Sequence, residues 1–320
     1  MATIDQVKAL MKAYFEADNK KFKMISLQIA AHEAKIGHTT SAREITRIIH
    51  TSPSKRVDAL AFNKQNEFLE LKYINTDISK LVVSEELKHR IDRVLLEYRK
   101  RSTLLKNGLK NRSKLLLEGA PGTGKTLTAF VIANELNLPL YNIQIERLIS
   151  KYMGETSTNL KKIFDFIKEN RGVYLFDEFD AIGSDRTYDN DVGEMRRILN
   201  SFLQYIEQDD SASIIIAASN NPKMLDKALF RRFDDVFEYK LPDDKQIFEL
   251  IRLNLQAYAP RFVFAEEIIK DARGLNHSDI TIACLEAIKY ALLSDTKVDK
   301  FTLSEFINDR KRLLQYKKVN

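Results

Sequence analysis

The chain contains the run Gly119-Ala120-Pro121-Gly122-Thr123-Gly124-Lys125-Thr126. The run follows the apolar segment Leu115–Leu117 and precedes a helical pattern over Leu127–Leu136. Glycines let the backbone turn so that successive N–H groups face phosphate oxygens, and the positive end of the next helix strengthens that binding. Lys125 can reach the β- and γ-phosphates, and the Thr126 hydroxyl can ligate Mg²⁺. Short glycine-rich patterns also occur by chance, but this complete pattern between a strand and a helix predicts a site for a nucleoside triphosphate.

Further strand-like runs follow at Pro139–Ile145, Val173–Phe176 and Ile214–Ala218, with helical patterns between them. This alternation is typical of an α/β protein with a parallel sheet. In open sheets of this kind, ligands bind at the carboxyl ends of the strands, where the glycine-rich run falls. Beyond Pro242 only helical patterns remain, which predicts an all-helical lid. These patterns cover Ile247–Gln256, Glu266–Ala272, Ser278–Leu293 and Leu303–Leu314.

Upstream of the sheet, three short helical patterns predict a small amino-terminal bundle. They run over Ile4–Tyr14, from Phe22 to about Gly37, and from Ser41 to Ile49. Such a bundle is too small for catalysis and either binds a partner or substrate or is purely structural. A linker begins near Ser52, the segment to Ile78 is ambiguous, and an amphipathic helix over Ser84–Tyr98 leads into the first core strand. The predicted domains are therefore residues 1–52 (bundle), 53–80 (linker), 81–241 (core) and 242–320 (lid).

Composition narrows the class of protein. A chain of 320 residues with 44% apolar residues can form two or three domains with packed cores. Its formal net charge is +6, and basic residues without an acid between them run from Arg99 to Lys114. This cluster has two interpretations, a nucleic-acid footprint or a solvated helix face or subunit contact.

The same composition bears on the compartment. Cys284 is the only cysteine, so the chain can form no internal disulfide, which fits a reducing compartment. No apolar run reaches the length of a membrane span, and the amino terminus lacks a signal-peptide pattern. We therefore expect a soluble, cytoplasmic protein with no membrane insertion.

Two acids end the apolar strand Val173–Phe176. Asp177 is placed to hold Mg²⁺, and Glu178 can polarise an attacking water, which separates a hydrolase from a protein that only binds the nucleotide. A pair of acids at a strand end is common by itself, and the upstream phosphate loop makes the catalytic interpretation stronger. Asn220 follows the next strand and could orient the same water, although an asparagine at a turn is ordinary.

Arg231 and Arg232 follow a short helical stretch, Leu225–Phe230. They have two interpretations: ordinary surface charge, or arginine fingers that reach the γ-phosphate bound by a neighbouring subunit. Spacing along the chain does not decide between them.

From about Leu81 to its end, the chain resembles the AAA family of ATPases, within the clade of membrane-scission, microtubule-severing and protein-unfolding machines. The resemblance rests on Gly119–Thr126 as Walker A, Phe176-Asp177-Glu178-Phe179-Asp180 as Walker B, Ala218-Ser219-Asn220 as sensor one, and Leu225–Leu229 leading into Arg231-Arg232-Phe233. It implies a ring, commonly a hexamer, with ATP and Mg²⁺ at each subunit interface and both arginines acting in trans. It also implies ATP contacts from Gly119 through Leu127.

Lys151-Tyr152-Met153-Gly154-Glu155-Thr156 resembles the first pore loop of this family. The resemblance implies that Tyr152 and Met153 grip an extended polypeptide through apolar contact; the alternative is a core tyrosine in a turn before a helix. Residues 183–191 would form a second pore loop.

The lid departs from the family pattern. Asn276-His277-Ser278-Asp279 stands where the family has Ser-Gly-Ala-Asp, so the resemblance implies that the backbone contact to adenine is retained, with the bulkier His277 in place of glycine. The arginine segment is also shortened to Arg231-Arg232, and the entry to the core differs near Leu81-Val82-Val83.

The amino-terminal module, with Gln28 to Ala34 and Gly37-His38, looks like that of bacterial AAA proteins often encoded beside a subtilisin-like serine peptidase. We therefore expect an ATP-driven remodeller that threads protein through a ring pore, with such a peptidase as a candidate partner. Two rivals stay open. A nucleic-acid motor would fit the basic cluster but not the aromatic Tyr152, and a scaffold that uses ATP only for assembly would not need Glu178.

Overall fold

The structure is a computed structural model that describes residues 4–15, 19–35, 38, 41, 68–72, 76, 78–148, 155–183, 192–221, 225 and 227–319. The chain divides into two compact units, residues 1–65 and 66–320. In the first unit, α1 (Ile4–Phe15) packs against α2 (Asn19–Lys35). Their buried side chains include Ala13, Ile25 and Ala30. Apart from Ser41 itself, the predicted third helix lies outside the described residues.

The second unit is built on a six-stranded sheet. Its strands are β1 (Leu69–Lys72), β2 (Lys114–Gly119), β3 (Leu140–Ile143), β4 (Val173–Phe176), β5 (Ile214–Ser219) and β6 (Asp235–Tyr239). Their order across the sheet is β1-β3-β4-β5-β2-β6. All neighbours pair in parallel except β1 and β3, which are antiparallel. The predicted α/β fold with a parallel sheet is confirmed, with one antiparallel strand at an edge.

Helices cover both faces of the sheet, as a parallel sheet requires. The long helices are α3 (Glu85–Arg99), α5 (Lys125–Glu135), α7 (Glu155–Glu169) and α9 (Val192–Gln208), and the short ones are α4 (Arg101–Lys106), α6 (Ile145–Leu148), α8 (Asp180–Gly183) and α10 (Lys227–Phe230). A single 3₁₀ turn, Ile78–Lys80, precedes α3. The central strands β4 and β5 are buried along their whole length, so their continuous apolar runs reflect cover on both faces.

The lid consists of four helices, as the sequence predicts. These are α11 (Asp244–Leu255), α12 (Glu266–Ala272), α13 (His277–Leu293) and α14 (Lys300–Val319). They form their own apolar cluster, which includes Ile251, Ala283 and Leu303 and also takes in Val82 from the entry to the core. Within the described part of the chain, no helix is both long enough and apolar enough to span a membrane.

Two strands are not among the strand-like runs that the sequence predicts. β1 falls in the segment that the sequence analysis placed in a linker, and β6 follows the arginine pair. Both lie at an edge of the sheet, where one side of a strand stays partly exposed. Neither therefore carries the continuous apolar run that predicted the central strands.

Candidate functional site

The glycine-rich run forms the loop between β2 and α5, at the carboxyl edge of the sheet. Gly119, Gly122 and Gly124 have φ angles of 148°, 73° and 103°, which L side chains rarely adopt. At two of them space is also short: an added Cβ would lie 2.3 Å from the Tyr239 carbonyl oxygen at Gly119, and 2.8 Å from the Asn276 side chain at Gly122. The sequence needs glycine there for packing as well as for the turn.

The loop opens directly onto the amino end of α5. Gly124 is the residue before this helix, and no side chain caps it, so the first N–H groups of the helix are available to an anion. Ala120 and Pro121 are exposed, while Thr123 is buried and donates its hydroxyl to the Ala120 carbonyl at 2.7 Å. The loop is therefore held from within and open on its outer side. Leu127 is partly buried against the core below it.

The Lys125 ammonium lies over the loop. Its Nζ donates to the carbonyl oxygens of Gly119 and Ala120 at 2.7 and 2.9 Å. Burial lowers the pKa of Lys125, and the nearby carboxylates of Asp177 and Asp180 oppose that shift. A buried cation that is held only by carbonyls and flanking acids is well placed to bind phosphate oxygens.

Thr126 and Asp177 meet although 51 residues separate them. The Thr126 hydroxyl donates to the Asp177 carboxylate at 2.9 Å, because β2 and β4 end at the same edge of the sheet on either side of β5. A hydroxyl and a carboxylate side by side are the oxygen donors that Mg²⁺ prefers. Within the described part of the chain no cluster of three or more His, Cys, Asp or Glu side chains could hold a metal; a phosphate-bound Mg²⁺ needs only one or two protein ligands.

Glu178 has an unusual backbone. Its φ of 53° is left-handed, a conformation that costs a residue with a side chain on the order of 1 kcal/mol and is often found at functional sites. Two hydrogen bonds hold this turn: Glu178 N–H donates to the Asp177 carboxylate at 3.0 Å, and Phe179 N–H donates to the Ala218 carbonyl at 2.8 Å. The Glu178 side chain is exposed, at the carboxyl edge where the phosphate loop lies.

Asn220 follows β5 at the same edge. Its N–H donates to the Asp180 carboxylate at 3.0 Å. The residues predicted to bind and to hydrolyse the nucleotide, Lys125, Thr126, Asp177, Glu178 and Asn220, thus all lie at the ends of three adjacent strands.

The lid contacts the phosphate loop near His277. Ser278 N–H donates to the Gly122 carbonyl at 3.0 Å, and the Asn276 side chain, which caps α13 by accepting from Asp279 N–H at 2.7 Å, packs against Gly122. A cavity of about 220 Å³ adjoins this contact, with Thr123 and His277 in its wall. The lid is thereby attached to the phosphate loop itself.

His277 is 9% exposed, and among the described residues no hydrogen-bond partner lies within normal distance and angle of either ring nitrogen. Burial lowers the pKa of its imidazole to about 4, while the Val82 backbone acts in the opposite direction. The ring is therefore neutral at pH 7, and it presents one donor and one acceptor nitrogen beside the cavity.

Arg231 and Arg232 lie at the other edge of the sheet. They precede the start of β6, which pairs in parallel with β2 from Leu115↔Asp235 to Gly119↔Tyr239. The phosphate loop follows the end of β2, so the length of that strand, about 16 Å at 3.3 Å per residue, separates the arginines from it. Arg232 donates to Glu207 of the same chain at 2.9 Å, and among the described residues Arg231 has no ion-pair or hydrogen-bond partner for its side chain.

Tyr152 and Met153, and the second predicted pore loop beyond Gly183, lie outside the described residues. Conversely, three contacts at the site were not predicted: Tyr239 against Gly119, Asn276 against Gly122, and Asp180 with Asn220. Only Asp180 had a signal in the sequence, as the third acid of the run Asp177-Glu178-Phe179-Asp180.

These features define a P-loop nucleoside triphosphatase. A strand, a glycine-rich loop and a helix bring a buried lysine, a Thr–Asp pair and a glutamate together at the carboxyl edge of a parallel sheet. The profile of the ATPase family associated with various cellular activities (AAA) matches residues 115–241. An uncharacterized AAA family ATPase, y4kL, of Sinorhizobium fredii is 31% identical over 305 residues, which cover 93% of this chain and 92% of that protein. The chain belongs to the AAA family and is an ATPase.

Other relatives are larger proteins. A proteasome-activating nucleotidase of Methanoregula boonei is 31% identical over 229 residues, 69% of this chain and 52% of that protein. The 26S proteasome regulatory subunit 10B homolog A of Arabidopsis thaliana is 30% identical over 223 residues, 67% of this chain and 55% of that protein. The chain thus spans about half the length of these two relatives.

Proposed function

We propose that this AAA ATPase is a protein remodeller that assembles into a ring, commonly a hexamer in this family, and pulls polypeptide through the central pore. The observation that carries the proposal is the placement of Arg231 and Arg232 at the amino edge of the sheet, opposite the phosphate loop of the same chain. An arginine there can complete an ATP site only in a neighbouring subunit. The likeness to a proteasome-activating nucleotidase supports protein as the substrate.

Each residue of the ATP site has a separate task in this proposal. The loop from Gly119 to Gly124, with Lys125, binds the phosphates, and Thr126 and Asp177 hold Mg²⁺. When bound, that ion would neutralise charge on the phosphates. Glu178 accepts a proton from the attacking water, which Asn220 orients toward the γ-phosphate.

The nucleoside end of ATP is proposed to lie toward the lid. His277 and the backbone of the capping turn at Asn276 border the cavity next to Thr123. Ser278 is hydrogen-bonded to Gly122 of the phosphate loop. A nucleotide bound in this cavity would therefore shift the position of the lid. Such a link between nucleotide state and lid position is what a stroke on a substrate requires.

Substrate contact is assigned to Tyr152 and Met153, and partner or substrate recruitment to the amino-terminal helices. A subtilisin-like serine peptidase is the proposed recipient of the unfolded chain. These assignments come from the resemblance of the two segments and are the parts of the proposal to be tested with substrate present.

The nucleic-acid alternative loses support at the basic cluster. Arg99 is paired with Glu135 at 3.0 Å, and Arg112 is paired with Glu97 and with Asp235. The charges of these two arginines are therefore offset within the chain, which lowers the positive potential available to a phosphate backbone.

Replacement of the general base tests the ATPase part. Glu178→Gln is expected to bind ATP and assemble like the wild type, with ATP turnover lower by about 100-fold or more, because the amide cannot accept the proton from water. Phosphate release and equilibrium binding of a fluorescent ADP analogue measure the two effects. Glu169→Gln, an exposed acid at the end of α7, is the matched control and should turn over normally. Wild-type turnover in Glu178→Gln would remove Glu178 from the mechanism.

A further inference from the structure

The ends of β4 and β5 are joined by two hydrogen bonds beyond their strand pairing. The parallel register between these strands runs from Val173↔Ile214 to Phe176↔Ala217. Past that point, Phe179 N–H donates to the Ala218 carbonyl at 2.8 Å, and Asn220 N–H donates to Asp180 Oδ1 at 3.0 Å. The two bonds connect the segments that follow β4 and β5, where the strand pairing has ended.

These bonds flank the residues assigned to hydrolysis. Glu178 lies directly before Phe179 and is held with a φ of 53°, and Asn220 is the first residue after β5. The sheet itself no longer fixes Asn220, so the position of its backbone depends on the Asp180 carboxylate. A displacement of about 1 Å at a positioning group can cost on the order of 100-fold in rate.

Asp180 also lies near Lys125, the first residue of the helix after the phosphate loop. Its carboxylate is close enough to Lys125 to favour the charged ammonium, together with Asp177. It is half-buried at the start of α8, a helix of four residues. The Asp180 carboxylate thus contacts Asn220, which is proposed to orient the water, and lies near Lys125, which is proposed to bind the phosphates.

We infer that Asp180 is a positioning residue for ATP hydrolysis, whose carboxylate oxygen fixes Asn220 relative to Glu178. The inference rests on the role proposed above for Asn220. It assigns to Asp180 no contact with the nucleotide. It therefore predicts a loss in turnover without a loss in nucleotide affinity.

Four single variants separate the hydrogen bond from the charge. Asp180→Asn keeps an oxygen acceptor without the charge and should retain kcat within about threefold. Asp180→Ala removes the acceptor, and Asp180→Glu displaces it by one methylene while it keeps the charge. Both should lower kcat by about 10- to 100-fold with unchanged affinity for the fluorescent ADP analogue. Asp299→Ala removes a similar bond to a backbone N–H, that of Thr302 at 2.8 Å in the lid, and should leave kcat unchanged.

A double variant tests whether Asp180 acts through Asn220. If it does, Asp180→Ala should slow Asn220→Ala no further, since residues that act in one unit are not additive. A low kcat for Asp180→Asn together with a normal one for Asp180→Glu would overturn the inference in favour of charge. Additive losses would overturn it in favour of an independent role.

The inference and the proposed function can fail separately. Normal turnover in Asp180→Ala, with Asn220→Ala slow, would overturn only the inference. Normal turnover in Asn220→Ala would remove the proposed role of Asn220 and the inference with it. If Asp180→Ala does not fold, the contrast between Asp180→Asn and Asp180→Glu decides the question by itself.

Discussion

At the scale of single residues, the sequence motif predicts the side chains of the site, but it does not predict their backbone conformations. Lys125 and Thr126 occupy the positions that their motif predicts, and each has a partner that explains its orientation. Glu178 is different, because its left-handed φ belongs to a turn that is bonded to Asp177 within the turn and, through Phe179, to Ala218 of β5. A glutamate in that conformation is stable only where its surroundings determine it.

The two arginines should not contribute equally. Arg232 is paired with Glu207 in its own chain, so we expect Arg231 to be the main finger. Arg231→Ala should lower ATP turnover by about 100-fold or more without loss of nucleotide binding, and Arg232→Ala should lower it less. Steady-state phosphate release checks the difference, and the opposite ranking would contradict the assignment.

A mixing experiment tests whether Arg231 acts in trans. Arg231→Ala subunits keep an intact phosphate loop, and Glu178→Gln subunits keep an intact arginine. Mixing these two inactive proteins should restore turnover at the interfaces where the intact halves meet. Absence of any recovery, in mixtures shown to co-assemble, would mean that the arginine does not serve a neighbouring site.

At the scale of elements, the lid is held together by an ion pair between two of its helices. Asp279 of α13 is 3% exposed, and its carboxylate accepts from the Arg310 guanidinium of α14 through Nε at 3.2 Å and through a second, closer contact. Asp279 also donates its N–H to the capping side chain of Asn276. Asp279 directly follows Ser278, whose N–H bonds the lid to the Gly122 carbonyl of the phosphate loop.

Loss of this pair should destabilise the lid. Arg310→Met keeps the apolar stem but leaves the Asp279 carboxylate buried without its cation, which should lower the free energy of unfolding by about 2–3 kcal/mol. Arg312→Met, on the same helix, removes an exposed pair with Asp309 at 3.3 Å and should cost about 0.5 kcal/mol or less. Urea denaturation measures both, and equal losses would contradict the importance of burial.

The buried imidazole of the lid should make stability depend on pH. The pKa of His277 is about 4 in the folded chain and about 6.5 when unfolded. As the pH falls from 6.5 to 4, His277 is protonated in the unfolded chain but stays neutral in the folded chain. The free energy of unfolding therefore decreases by up to about 1.4 kcal/mol per pH unit.

His277→Gln isolates this contribution. The variant cannot titrate there, so its unfolding free energy should fall less steeply than that of the wild type between pH 6.5 and 4.5. Chemical denaturation of both proteins at a series of pH values measures the difference. Parallel curves would show that the imidazole is not buried in the neutral form.

At the scale of the whole molecule, the chain carries its phosphate loop and its two arginines, Arg231 and Arg232, on opposite edges of one sheet. Under the proposed function, this division leaves the ATP site of a single chain without its arginine, and assembly into a ring supplies it. Turnover should therefore rise with protein concentration. The hydrolysis-deficient Glu178→Gln should assemble with ATP, as analytical ultracentrifugation would show.

The aromatic residue of the proposed pore decides between protein and nucleic acid as substrate. Tyr152→Ala should keep basal ATP turnover within about twofold but lose stimulation by an unfolded protein and its translocation, because the grip is apolar contact. DNA should stimulate neither protein. Stimulation by DNA that falls steeply with salt, and is unaffected by Tyr152→Ala, would support the nucleic-acid alternative.

The sequence alone predicted the central strands, the four helices of the lid and the residues proposed to bind and hydrolyse ATP. Continuous apolar runs indicate strands that are buried on both faces, as at Val173–Phe176. A complete phosphate-loop motif predicts which of its residues contact the phosphates. Edge strands carry no such signal, because β1 and β6 are covered on fewer sides, and they were found only in the structure.

Tertiary structure decided how these residues meet. Thr126 reaches Asp177 because two strands end at one edge of the sheet, Asp180 reaches Asn220 where pairing stops, and the arginines are set apart from the loop by the length of β2. Such contacts depend on strand order and register, which bring distant segments together, whereas a local pattern reports only the environment of its own segment.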